Sequence, residues 1–147
     1  TRVVHAAPLI SEWIGKHVGN PHIIGPDSES EQWVAAVARE AGAPYSVLEK
    51  TRRGDRDVSI DLPDLSALRA RRAVLVDDIV SSGRTMIETA RKLSAAGMAK
   101  PVCVAVHALF ADQSYAELLS LCERVVSTDT VPHASNAISV AALLAPA

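Results

Sequence analysis

Ala73-Val74-Leu75-Val76-Asp77-Asp78-Ile79-Val80-Ser81-Ser82-Gly83-Arg84-Thr85 is the stretch whose reading decides the fold. Residues 73–76 form a short, wholly apolar run, the pattern of a strand buried on both faces. Residues 85–96 then place Met86, Ile87, Ala90 and Leu93 at helical spacing, and Gly97 stands after the end of that helix. A buried strand passing through a short turn into an amphipathic helix is half of a β-α-β unit. The turn itself holds the chemistry. Backbone N–H groups of residues 81–85 lead into a helix N-terminus, where anions are favoured. Gly83 permits close backbone approach to such a group, while Ser81, Ser82 and Thr85 add hydroxyl donors. Asp77 and Asp78 are acceptors suited to sugar hydroxyls or to a magnesium ion with its waters. An acidic strand end before an ordinary capped helix would show some of these residues. Their conjunction favours the anion site.

Outward from this segment the chain alternates. Ala6, Leu9, Ile10, Trp13 and Ile14 give a helix over residues 6–17, ended by Gly19-Asn20-Pro21. A strand is expected at 22–25. Next comes a helix capped by Ser28 or Ser30, with Trp33, Val34, Val37, Ala38 and Ala41 inward and Gly42 at its stop. Residues 45–49 read as a strand. Residues 50–72 are charged, carry Gly54 and Pro63, and show only a weak strand signal at 58–60, so a mobile or functional loop is expected. Strands at 102–106 and 125–127 flank a helix at 115–121, and residues 138–144 are apolar with the choice of strand or helix open. Trp13 and Trp33 are expected in the core and His107 in the core or at its rim, with Thr128 and Asp129 structural or peripheral. The expected architecture is α/β, a mostly parallel central sheet flanked by helices, in one domain over residues 1–147. In such sheets ligands gather beyond the carboxyl ends of the strands.

The 147 residues are 48% apolar and 22% charged, the balance of a soluble globular chain. A net charge of −2 without a basic run gives no reason to expect a nucleic-acid partner. No apolar stretch approaches the length of a membrane span, and no leader pattern appears. Cys103 and Cys122 lie in apolar runs, which suits buried free thiols and a cytoplasmic protein. The chain opens at Thr1 and runs directly into a helical pattern, as a piece of a longer or processed chain would.

Residues 74–85 resemble the phosphoribosyl-diphosphate motif of the type I phosphoribosyltransferase fold. There the two acids hold the ribose 2- and 3-hydroxyls and the following loop holds the 5-phosphate. More of the chain falls into a matching order. Ala6-Ala7-Pro8-Leu9-Ile10, Gly25-Pro26-Asp27, Leu48-Glu49-Lys50-Thr51-Arg52-Arg53, Ser127-Thr128-Asp129-Thr130-Val131-Pro132 and Ile138-Ser139-Val140-Ala141-Ala142-Leu143-Leu144 resemble the C-terminal half of the ribose-phosphate pyrophosphokinases.

The resemblance implies transfer of a diphosphoryl group from ATP to ribose 5-phosphate with release of AMP. Lys50 and Arg52 would lie on a mobile catalytic loop and neutralise the transferring phosphates. Asp77, Asp78, Ser81, Ser82, Gly83, Arg84 and Thr85 would bind ribose 5-phosphate, and Asp27 would help to hold Mg2+. A homo-oligomer with ATP between subunits, and a missing N-terminal half needed for activity, are implied as well. Residue chemistry alone offers plainer readings. Lys50, Arg52, Arg53 and Arg56 balanced by Asp55 and Asp57 make a solvated charge run, and Asp27 makes a helix cap. The chain also departs from the family. Ser28-Glu29-Ser30-Glu31 replaces a glycine-containing stretch, Ser81 stands where an acid is common, and Arg84 where glycine is common. Gly83-Arg84-Thr85 is nearer to ordinary phosphoribosyltransferases. A phosphoribosyltransferase consuming phosphoribosyl diphosphate is therefore a second reading, and a non-catalytic regulatory homologue a third.

Overall fold

A computed structural model describes residues 3–52, 58–62 and 64–145. Helix α1 (Ala7–His17) leads to strand β1 (Pro21–Gly25), a 3-10 turn at Ser28–Ser30, helix α2 (Glu31–Ala41) and strand β2 (Tyr45–Val47). Strands β3 (Glu49–Arg52) and β4 (Val58–Asp61) follow, then helix α3 (Leu65–Arg69) and the long strand β5 (Arg72–Val80). Helix α4 (Arg84–Ala95), strand β6 (Val102–Ala108), helix α5 (Ser114–Leu121), strand β7 (Arg124–Thr128), strand β8 (Asn136–Ile138) and helix α6 (Ala141–Leu144) complete the order.

Six strands form one parallel sheet in the order β2-β1-β5-β6-β7-β8, and β3 pairs with β4 in a separate antiparallel hairpin. The expected α/β class, with a mostly parallel sheet between helices, is what the chain adopts. The period-two alternation of strands sorts the core into two layers. Val74, Val76, Val102, Val104 and Val106 pack with Ile10, Ile14, Val34 and Val37 of α1 and α2. Ala73, Leu75, Cys103 and Ala105 pack on the other face with Leu68, Met86, Leu93 and Leu118 of α3, α4 and α5.

From β1 the chain winds to β2 on one side, then returns to lay β5 on the other. The switch point thus falls between β1 and β5, the place where an open α/β sheet leaves a crevice. Register widens that crevice. The β1 ladder ends at Ile24 opposite Leu75, while the β6 ladder continues along β5 to Val80 opposite Ala108. The last five residues of β5 therefore have an open edge on the β1 side.

Several elements differ from expectation. β5 runs to Val80 rather than stopping at Val76, because β6 keeps supplying ladder partners past the acids. The segment read as one strand over 45–49 divides: β2 joins the sheet, and the hairpin begins at Glu49. Residues 50–72 contain that hairpin and α3 rather than one loop. The cap before α2 is Asp27, whose carboxylate accepts from Ser30 N at 3.1 Å; neither serine supplies it. The open choice at 138–144 resolves as the end of β8 followed by α6. Trp13 is buried and stacks on His17, whereas Trp33 is only half-buried against the same core. Both cysteines are buried free thiols. Among the described residues, no helix is long and apolar enough to cross a membrane.

Candidate functional site

The open end of β5 and the turn after it form a pocket of about 180 Å³ lined by Asp77, Ile79, Val80 and residues 81–86. Gly83 is the N-cap of α4 at φ +65°, and no side chain caps that end. Its carbonyl accepts from Ile87 N at 2.8 Å, which closes the first helical turn. The N–H groups at the start of α4 precede any intrahelical acceptor and are left to meet a ligand or water. Nothing lies closer than 3.5 Å to a Cβ built at Gly83, so backbone conformation rather than space requires glycine here. Ser81, Ser82 and Arg84 are exposed and Thr85 partly so, which puts every predicted residue of the turn at the pocket wall.

The two acids border different cavities, yet their carboxyl groups stand close enough to interact. Asp77 is half-buried and lines the pocket beside the turn. Asp78 is exposed and borders a different cavity of about 250 Å³, with Trp33, His107 and Thr130 on the α1 and α2 side. Each carboxylate accepts from the next backbone amide, Asp78 N at 2.9 Å and Ile79 N at 2.8 Å. Burial foremost, then the neighbouring Asp78 carboxyl and the charge of Asp27, push the Asp77 carboxyl up to about 7.

Asp27 reaches this corner because Gly25 lets α2 press onto β1; a Cβ at Gly25 would collide with Val34 Cγ2. Lys50 Nζ of β3 stands 3.7 Å from Asp27 Oδ2. The structure thus brings together the residue expected to neutralise phosphates and the one expected to hold metal, each half-exposed beside the other. The side chain of Arg52 lies outside the described residues, as do residues 53–57. His107 accepts or donates at Nδ1 to Thr130 Oγ1 at 2.8 Å, and Thr128 Oγ1 donates to Val106 O at 2.7 Å, both structural contacts. Asp129 accepts from Val140 N, and that bond holds its carboxyl below the usual range. Among the described residues, no three His, Cys, Asp or Glu side chains gather in a metal-holding group.

Sequence reasoning overlooked two features of the site. Ile79 is 50% exposed on the pocket wall, between exposed Asp78 and buried Val80. Residues 109–114 back the turn from behind, and no motif marks them.

Comparison with known proteins agrees with this geometry. The ribose-phosphate pyrophosphokinase of Sulfurisphaera tokodaii is 33% identical over 142 residues, which covers 95% of this chain and 48% of that protein. The chain spans about half the length of the curated relatives it matches. Among solved structures, the phosphoribosylpyrophosphate synthetase from Mycobacterium smegmatis aligns with a TM-score of 0.76 at 22% identity, over 95% of this chain and 48% of that one. The APRTase from Giardia lamblia, solved with 9-deazaadenine, aligns with a TM-score of 0.65 at 16% identity, over 81% and 75%. These two likenesses show the fold. A model of the phosphoribosyl transferase domain matches residues 4–143, nearly the whole sequence, and the chain belongs to that family.

Proposed function

We propose that this chain is the sugar-phosphate-binding, C-terminal half of a ribose-phosphate diphosphokinase. One observation carries the reading: a glycine-centred turn with uncapped helix N–H groups opens directly beside the free edge of β5, where Asp77 stands. The turn of Ser81, Ser82, Gly83, Arg84 and Thr85 would take the 5-phosphate, through backbone donors and the Arg84 charge. Asp77 and Asp78 would accept hydrogen bonds from the ribose hydroxyls. Similarity to curated pyrophosphokinases over 95% of the chain supports this choice among sugar-phosphate enzymes.

In the proposed reaction, the C1 hydroxyl oxygen of ribose 5-phosphate attacks the β-phosphorus of ATP. The bond from that phosphorus to the bridging oxygen of the α-phosphate breaks, AMP leaves with the electron pair, and the hydroxyl proton passes to solvent. Lys50, with Arg52 from the same strand, would offset negative charge on the transferring phosphates. Mg2+ fits the chemistry of the corner, because it commonly takes one or two carboxylates and completes its shell with phosphates and water. Asp27 would help to hold the ion, and its charge is among those that raise the Asp77 carboxyl. Mg2+ would supply charge neutralisation on the phosphates. A homo-oligomer, with ATP partly bound by a segment outside this chain, and a cytoplasmic setting consistent with two free thiols complete the proposal.

The test is an assay of this chain with ATP, ribose 5-phosphate and magnesium. No AMP is expected from the chain alone, and AMP release by it would overturn the half-enzyme reading. Diphosphate release from phosphoribosyl diphosphate with a base would instead favour the phosphoribosyltransferase reading, to which Gly83-Arg84-Thr85 is the closer match.

A further inference from the structure

We propose that residues 109–114, the link from β6 into α5, brace the anion-binding turn, and that Ser114 is a positioning residue for it. The inference rests on the sugar-phosphate reading of the pocket. Four donors from this link converge on two consecutive carbonyls, those of the last residue of β5 and the first residue of the turn. Leu109 N at 3.1 Å and Phe110 N at 2.9 Å donate to Val80 O. Ala111 N at 2.8 Å and Ser114 Oγ at 3.1 Å donate to Ser81 O.

The geometry has a consequence for charge. A carbonyl oxygen facing a bound phosphate would repel it and compete for the neighbouring N–H groups. Here both carbonyls are engaged from behind, which commits the peptides after Val80 and Ser81 to presenting their N–H sides away from the brace. The anion turn is thus ordered before any ligand arrives, and preorganised donors cost less to use.

The brace is itself held in an uncommon backbone shape. Phe110 at φ +27° and Asp112 at φ +53° lie in the region that L residues rarely adopt. Packing offsets that cost. The Phe110 ring sits 5.1 Å from Tyr115 and 4.8 Å from His133, and Tyr115 meets His133 edge-on at 4.5 Å. Ser114 is 5% exposed and stands in van der Waals reach of a Cβ built at Gly83, so the brace touches the turn at its pivot.

Calorimetric titration of ribose 5-phosphate into the wild-type chain and the Ser114→Ala, Ser114→Cys and Ser114→Thr variants tests the inference, with thermal unfolding of each recorded alongside. Alanine and cysteine are expected to raise Kd about 2- to 10-fold, the value of one hydrogen bond. Threonine, which keeps the hydroxyl, is expected to bind within about twofold of wild type. The cysteine variant preserves volume, so a packing defect confined to alanine would not be read as loss of the brace. Unchanged Kd in folded alanine and cysteine variants would overturn the brace while leaving the sugar-phosphate site intact. Equal weakening in all three would also overturn it, because the hydroxyl would not be the agent. Absence of binding by folded wild type would overturn the pocket's reading and this inference together.

Discussion

The two sides of the crevice are built by different means. On one side, the turn over residues 81–85, the proposed anion site, is built from backbone: a glycine in left-handed conformation, the open N-terminus of α4, and carbonyls held from behind. On the other, Asp27, Lys50 and Asp77 make a corner from side chains. Asp27 and Lys50 partner each other, while Asp77 is pushed up to about 7 by burial and by neighbouring acids. A site made from backbone depends less on residue type, which accords with Ser81 and Arg84 standing where the family resemblance leads one to expect an acid and a glycine. The side-chain half has no such latitude. In the proposed role it would take a cation and phosphates only after its own charges are redistributed.

Substitutions on the two sides should therefore fail in different ways. Asp77→Asn on the side-chain half is expected to weaken magnesium-dependent ribose 5-phosphate binding about 10- to 100-fold, from the ~1.5–3 kcal/mol typical of charged hydrogen bonds. Titration calorimetry measures it. The same variant should change the pH dependence of stability. A carboxyl raised to about 7 in the fold, against 3.8 as its ordinary value, contributes stability that is full below pH 3.8 and lost as pH rises through about 7. Denaturant unfolding across that window should show the loss in wild type and a shallower slope in the asparagine variant. Ligand binding should move oppositely, strengthening as Asp77 ionises.

Gly25→Ala strikes the approach of α2 to β1. The added methyl meets Val34, and a stability loss of about 1–3 kcal/mol is expected from overpacking. Chemical denaturation would measure it, and a smaller loss would mean that α2 shifts, carrying Asp27 with it. Gly83→Ala on the backbone half has room for its methyl but not the right conformation. A loss of about 1–2 kcal/mol is expected from the left-handed backbone alone. Lys50→Ala should leave unfolding within about 1 kcal/mol of wild type, since the Asp27 pair is half-exposed. In the proposed diphosphoryl transfer, its effect should appear as slower AMP release by the full-length protein.

What could be read from sequence follows the same division. Apolar periodicity located α1, α2, α4, α5 and the strands β5, β6 and β7, because burial dictates those residues. The turn after β5 was legible too, since glycine, hydroxyl residues and a helix start leave a local signature. The end of β5 was not. Aspartate is depleted in strands, and only pairing with β6, where Asp77 stands opposite Ala105, carries the strand past Asp77 and Asp78. The β3 and β4 hairpin was hidden by charged residues whose partner strand gives a faint signal. The brace at 109–114 was invisible, because Phe110 and Asp112 adopt positive φ without being glycine, and Phe110 packs against Tyr115 and His133.

The most direct test of the sugar-phosphate site is a calorimetric titration of ribose 5-phosphate, with magnesium, into the wild-type chain and into the Asp77→Asn/Asp78→Asn double variant. Saturable binding by wild type, lost or much weakened in a double variant that still folds, is the predicted result. Equal binding by both, or none by a folded wild type, would contradict it.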